Sequence, residues 1–141
     1  RDIVLAAVRS LGQALEYAAD ECKRDRVRSL GQALEYAADE FKRDREIVLE
    51  AISRSDIDSP LEHAADELKR DRQIVLAAVE QIGGALEFAA DEFKQDRQIV
   101  LAALGKNGLA LEYAAEECKR DREMVLAAVK QYVCVLEDAA E

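Results

Sequence analysis

"DRQIVLAALGKNGLALEYAAEECKR", residues 96–120, reads as one complete unit of a helical repeat. Asp96 stands just ahead of the apolar run Ile99 to Leu104, where its carboxylate is suited to accept hydrogen bonds from the free amides of a helix start. Gly108 marks a hinge, and a second apolar-periodic segment follows it up to the basic pair Lys119-Arg120, whose charge suits the end of a helix. The same frame recurs along the chain, with Asp-Arg pairs at Asp25, Asp44, Asp71, Asp96 and Asp121 and the last two full steps each 25 residues long. Internal repetition at that period is the signature of a solenoid. Ile3 fits the register of Ile47, Ile74, Ile99 and Met124, so a first unit lies ahead of Asp25.

Each complete unit predicts two helices. The second is most legible in "SPLE", where Ser59 can cap, Pro60 fits the first helical position and Glu62 completes a capping box. Leu61, Ala64, Ala65 and Leu68 then recur at i, i+3, i+4 and i+7, one face of a helix. Ala-Ala pairs at 18–19, 37–38, 64–65, 89–90, 114–115 and 139–140 are placed on that inward face, where small side chains let neighbouring backbones approach. Gly12, Gly31, Gly83 and Gly108 occupy the hinge, where a left-handed C-cap calls for a residue without Cβ. Asp20–Arg24, Asp39–Arg43, Asp66–Arg70 and Glu116–Arg120 are spaced as i, i+4 ion pairs. Helices of about ten residues are marginal alone in water, so each pair must be held by its neighbours.

One unit departs from the frame. "VRSLGQALEYAADECKRDR" (8–26) is followed at once by "VRSLGQALEYAADEFKRDR" (27–45), which differs only where Cys22 becomes Phe41. The unit Asp25 to Arg43 therefore lacks six residues of its first helix. It predicts either a one-turn remnant at Arg26 to Leu30 or fusion into a single helix from about Ala14 to Leu30, with a local defect in the stack. The expected architecture is all-α: an α-solenoid of stacked two-helix repeats of about 25 residues, with an irregular short second repeat. A single array spans 1–141, divided at about 1–24, 25–43 (short), 44–70, 71–95, 96–120 and 121–141 (truncated).

The unit 96–120, with its Val-Leu-x-Ala core, Asn-Gly hinge and Leu-Glu-Tyr-Ala helix at fixed spacing, resembles the tandem repeat catalogued as domain of unknown function 4116, and the resemblance covers essentially the whole chain. It implies a tandem helical array of the kind found in microbial and algal proteins, with no reaction to carry over. Three places depart from the pattern: the short second unit, the hinge at Asp56 and Pro60 with two extra residues, and the last unit, where Val133 replaces the hinge Gly and Asp138 the aromatic.

Composition narrows the function classes. Thirty acidic against twenty basic residues give a net charge of −10, which repels phosphate backbones and anionic lipid surfaces, so nucleic acid is excluded as an expected partner. The longest apolar runs, Ile99 to Leu104 and Tyr132 to Leu136, are far shorter than the roughly 20 residues a bilayer span requires, so no direct membrane span is expected. The start does not read as a leader and is not Met, so the expectation is that any targeting segment was removed or lies outside this sequence. Three cysteines cannot all pair within one chain. Cys22 and Cys118 take the slot of Phe41, Leu68 and Phe93, so they read as small core residues in a reducing compartment, cytoplasm or organelle interior.

Candidate chemistry is sparse. His63 is the sole histidine and has no second ligand or nucleophile at a helpful spacing, and the cysteines form no Cys-x-x-Cys pair. Gly105-Lys106-Asn107-Gly108 lacks the spacing and preceding strand of a phosphate loop. No catalytic, cofactor-binding or metal residue is assigned, no cofactor is expected, and the chain reads as no enzyme. A candidate partner surface does emerge. Tyr17, Tyr36, His63, Phe88 and Tyr113 occupy one equivalent position per unit, two residues after the Leu of the second helix, which helical geometry places among charged residues. Such a row is either a partner groove or a set of rings packed on the adjacent unit. Tyr132, Val133 and Val135, in the stretch Tyr132 to Leu136, are suited to burial against a partner.

The expected function is a non-enzymatic helical-repeat scaffold that mediates protein–protein interaction by bracing or docking on a larger assembly, with the concave face, aromatic row and uncapped ends as its surfaces. Two alternatives stand beside it. The algal occurrence of the resembling family implies a peripheral stabilising subunit of an organellar complex, photosynthetic in the narrowest version. The other is a recruiting segment of a longer enzyme or effector.

Overall fold

The computed structural model describes residues 34–55 and 59–140 together with Ala6, with side chains as far as Val133. Every regular element among the described residues is a helix. The α-helices are α1 (Asp39–Lys42), α2 (Arg45–Ser53), α3 (Asp66–Lys69), α4 (Arg72–Gln81), α5 (Asp91–Lys94), α6 (Arg97–Lys106), α7 (Glu116–Lys119) and α8 (Arg122–Ala140). Short 3-10 helices, Pro60–His63, Gly83–Phe88 and Gly108–Tyr113, follow α2, α4 and α6.

The long helices start where the sequence places them. One carboxylate oxygen of Asp71 accepts from Gln73 N (2.9 Å) and Ile74 N (3.2 Å), and Asp96 does the same for Gln98 N (2.9 Å) and Ile99 N (3.2 Å). Asp44 and Asp121 repeat the arrangement at α2 and α8. Each cap satisfies donors that have no partner within the helix. Behind the caps, Ile47, Val48, Ala51 and Ile52, then Ile74, Val75, Ala78 and Val79, then Ile99, Val100, Ala103 and Leu104 are buried. These stripes pack α2 on α4, α4 on α6 and α6 on α8, which builds one continuous core through the successive repeats.

In the units 44–70, 71–95 and 96–120 the second half is not the single amphipathic helix that its spacing predicts. The 3-10 helix Gly83–Phe88 gives way to an extended Ala89 (φ −71°, ψ 153°) and Ala90 (φ −60°, ψ 151°) before α5 begins, and the same break falls at Ala64-Ala65 and Ala114-Ala115. The cause is a hydrogen bond that leaves the repeat. Ala65 N donates to Lys42 O (3.0 Å), Ala90 N to Lys69 O (3.1 Å) and Ala115 N to Lys94 O (2.9 Å), so each repeat's backbone is tied to the one before it. The first alanine of each pair, Ala64, Ala89 and Ala114, is buried against this junction. Smallness at the pair serves packing as expected, but along an extended backbone and not on a helix face. The slot three residues beyond holds Leu68, Phe93 and Cys118, all buried.

The hinge glycines have a different reason from the expected one. No glycine among the described residues has positive φ, so no left-handed cap exists at Gly83 or Gly108. Both are buried beneath the next repeat's long helix: a Cβ on Gly108 would lie 2.5 Å from Ala128 O, and one on Gly83 would collide with Ala103 O. The contact is backbone against backbone, which only hydrogen permits.

Two smaller expectations are also corrected, and one expected departure takes a definite form. Ser59 makes no capping bond, and its Oγ is buried with no hydrogen-bond partner, whereas Asn107 does cap its 3-10 helix through Leu109 N (3.0 Å). The acid–base pairs of the short helices join residues three apart, Asp66–Lys69 (3.9 Å), Asp91–Lys94 (3.8 Å) and Glu116–Lys119 (3.1 Å), because a four-residue helix gives Arg70 and Arg120 no i, i+4 face to share. In the last unit Val133 takes the place of Gly108, and α8 runs through it for 19 residues without the 3-10 break. Gly12, Gly31, Cys22, the Arg26–Leu30 segment of the short unit and the Asp56 hinge lie outside the described residues.

Candidate interaction surface

The repeat edge carries a ladder of charged side chains. The second oxygen of Asp71, Asp96 and Asp121 accepts from the arginine that opens the preceding long helix. Arg72 donates to Asp96 Oδ2 (3.1 Å) and to Gln98 Oε1 (2.7 Å), Arg45 bonds Asp71 and Gln73, and Arg97 bonds Asp121 and Glu123. One carboxylate thus caps its own helix and holds the helix before it. The consequences show in the last rung. The hydrogen bond from Arg97, and then the backbone N–H of Glu123, hold the Asp121 carboxyl below its usual range, and Arg97 is pushed up by its bond to Asp121. Arg122 stands at the next rung, exposed, with no acidic partner opposite it among the described residues.

Reading the sequence for caps missed this role of the arginines. The signal was present: Asp-Arg is followed by Glu46, Gln73, Gln98 or Glu123 in every described unit, an acceptor two residues past the cap.

The aromatic row divides by position. Tyr36 is 81% exposed, while His63, Phe88 and Tyr113 are half-buried, with Phe88 and Tyr113 packed against the core. The charge of Glu87 on the preceding repeat, followed by burial, raises the Tyr113 hydroxyl above its usual range. His63 faces a cleft of about 290 Å³ between repeats, lined also by Asp39, Lys42, Arg43, Asp66 and Glu67. No group of three or more potential metal ligands occurs among the described residues. Tyr17 lies outside them. The Cys118 thiol is pushed up chiefly by burial and then by the charge of Glu117, and it lies 3.7 Å from Lys94 O.

The last repeat presents an apolar face. On α8, Met124 and Ala128 are buried like their equivalents Ile99 and Ala103, but Val125, Leu126, Val129, Tyr132 and Val133 are exposed by 36%, 42%, 53%, 50% and 47%. Val135 lies further along the same helix. Leu109 is also exposed, and Gly108, Leu109, Leu111, Glu112 and Lys119 line a shallow groove beside it. Of the residues expected at a partner surface, Tyr132 and Val133 share this face, whereas Tyr36, His63, Phe88 and Tyr113 lie on the second halves of separate repeats.

A three-fold pattern of this kind is what a tandem repeat leaves in a family comparison. The family model described as Domain of unknown function (DUF4116) matches residues 27–69, 57–94 and 96–141. The chain belongs to this family. All three matched segments span the 3-10 and short α-helical halves as well as the capped long helices, so family membership and the described fold concern the same unit. No curated protein matches the chain, and no solved structure does. No helix among the described residues is long and apolar enough to cross a membrane.

Proposed function

We propose that the chain is a non-enzymatic helical-repeat scaffold whose role is to bind or brace protein partners. The observation that carries this reading is the exposed apolar face of α8, where Val125, Val129, Tyr132 and Val133 form a stripe at i, i+4, i+7 and i+8. A contiguous apolar stripe beside charged residues is the kind of surface that protein association covers. The side chains richest in chemistry support the same reading by their employment. Asp71, Asp96 and Asp121 each cap a helix and hold an arginine, and Cys118 is buried in the core slot.

Purification of the untagged protein from its source cell under native conditions, followed by intact mass of what is recovered, tests the proposal. Recovery in fixed proportion with a defined set of proteins supports it and identifies the surface in use. Recovery of one much longer polypeptide bearing a separate catalytic domain, with no partner, moves the function outside these residues and refutes it.

A further inference from the structure

We propose that the cleft between α1 and α3 is a binding site for a small zwitterion, a molecule of the ω-amino acid class with a carboxylate at one end and an ammonium at the other. The inference stands apart from the scaffold reading, since it uses neither α8 nor a protein partner.

The cleft, of about 290 Å³, lies where the short helix of one repeat meets that of the next, and its walls differ in charge. Lys42 and Arg43 come from the end of α1, and Asp66 and Glu67 from the start of α3. The backbone bond from Ala65 N to Lys42 O (3.0 Å) fixes the two walls relative to each other. Among the described residues neither Lys42 nor Arg43 joins an ion pair, so no salt bridge closes the cleft.

The equivalent junctions show what is particular to this one. Lys69, Lys94 and Lys119 each pair with the acid three residues earlier, at 3.9, 3.8 and 3.1 Å. Lys42 makes no such bond with Asp39, and both side chains line the cleft instead. The ring position is held in the following repeats by Phe88 and Tyr113, which pack against the core, and here by His63. This junction therefore keeps charges of both signs around a flat ring that also carries polar nitrogens.

Those charges select the ligand. A lone anion drawn to Lys42 and Arg43 meets Asp39, one turn earlier on α1, and the carboxylates opposite; a lone cation drawn to Asp66 and Glu67 meets the two basic groups. In each case like charges cost what the opposite ones contribute. A molecule with both ends satisfies both walls: its carboxylate lies against Lys42 and Arg43, its ammonium against Asp66 and Glu67, and the methylene chain between them along the His63 ring. The volume is at the small end of ligand pockets, which run from roughly 300 to 1,000 Å³, so the cleft admits one small molecule and no folded partner.

Proton NMR tests this directly, because His63 is the sole histidine of the chain and its ring resonances report from inside the cleft. Titration with ε-aminocaproate into the millimolar range should shift them saturably, while caproate and hexylamine, each lacking one charged end, should not. Arg43→Gln and Glu67→Gln, both at exposed positions outside the core, should each weaken the apparent affinity by about two- to fivefold, the worth of one exposed charge pair. Glu92→Gln, the counterpart of Glu67 one repeat on, should leave the titration unchanged. A shift that fails to saturate, or that either single-charge analogue or sodium chloride at equal ionic strength reproduces, overturns the proposal. So does a titration indifferent to both Arg43→Gln and Glu67→Gln.

Discussion

Replacing Gly108 with Ala tests the claim that repeat spacing is set by backbone contact at the hinge. Its φ is not in the left-handed region, so alanine is permitted by the backbone and only the space is at issue. The new Cβ would sit 2.5 Å from Ala128 O and 3.3 Å from Ala128 C, where ordinary contact begins at 3.4 Å. Neither atom is a side-chain end that can rotate away, so α8 must withdraw by about 0.9 Å, and a gap of that size forfeits roughly a quarter to a half of the dispersion energy across it. Overpacking of this kind costs about 1–3 kcal/mol, offset by about 0.4–1 kcal/mol from the smaller entropy of the unfolded alanine chain. The net expectation is a loss of about 1–2 kcal/mol, or roughly 4–8 °C in Tm. Thermal unfolding followed by far-ultraviolet circular dichroism measures it, with Gly105→Ala as the companion. Gly105 lies inside α6 with nothing within 4 Å of its added Cβ, so that variant should gain up to about 1 kcal/mol from helix propensity. Equal shifts for the two variants, or a gain at Gly108 with a loss at Gly105, would refute the close-approach account.

Asp96→Ala removes a helix cap and a ladder acceptor together and should lower stability by about 0.5–2 kcal/mol, while Arg72→Ala removes only an exposed contact, worth about 0.2–1 kcal/mol and fading with added salt; urea midpoints at low and high ionic strength separate them. Asp121 is held below its usual range by Arg97, so its contribution to stability is complete above about pH 4, its unfolded value, and is lost as pH falls through the lower folded value. Asp121→Asn should flatten that part of the acid unfolding curve, and an unchanged curve would count against the rung. In a chain carrying Cys22→Ser and Cys134→Ser, Cys118 should react slowly with a disulfide reagent at neutral pH and rapidly once urea unfolds the array, because burial both hides the thiol and raises its pKa.

The long helices were legible because every contribution that defines them is local: an aspartate, two amides and an apolar stripe within ten residues. The second halves were not. Leu61, Ala64, Ala65 and Leu68 satisfy a helical period, and alanine is the strongest helix former, so nothing nearby in sequence announces the extended pair. What decides the backbone there is the bond from Ala65 N to Lys42 O, 23 positions away, which no local pattern contains. The hinge glycines were found for the wrong reason, since a buried close approach and a left-handed cap call for the same residue. For the interaction surface, Tyr132 and Val133 stood out as apolar residues in a run, but Val125 and Val129 did not, because the same residue types are core in the preceding repeats. Only comparison of equivalent positions in three dimensions separates them.

The ladder also explains how the array absorbs irregular units. Arg45 reaches Asp71 across 26 positions, where Arg72 reaches Asp96 and Arg97 reaches Asp121 across 24, yet the contacts are the same. The ladder bonds and the backbone bonds that tie one described repeat to the next are anchored at the capped start of a long helix and at the Ala-Ala break. The two extra residues of the unit 44–70 fall between these anchors, in the connection from α2 to Pro60, where loop length costs little. The short unit tells the same story from its described half. Although six residues are missing ahead of it, Lys42 O still receives Ala65 N at 3.0 Å, and Leu34 and Phe41 still pack with the core. Register is therefore carried by recurring point contacts and not by a fixed number of residues per repeat, which makes the 25-residue step a habit of the sequence and the Asp-Arg rung its rule.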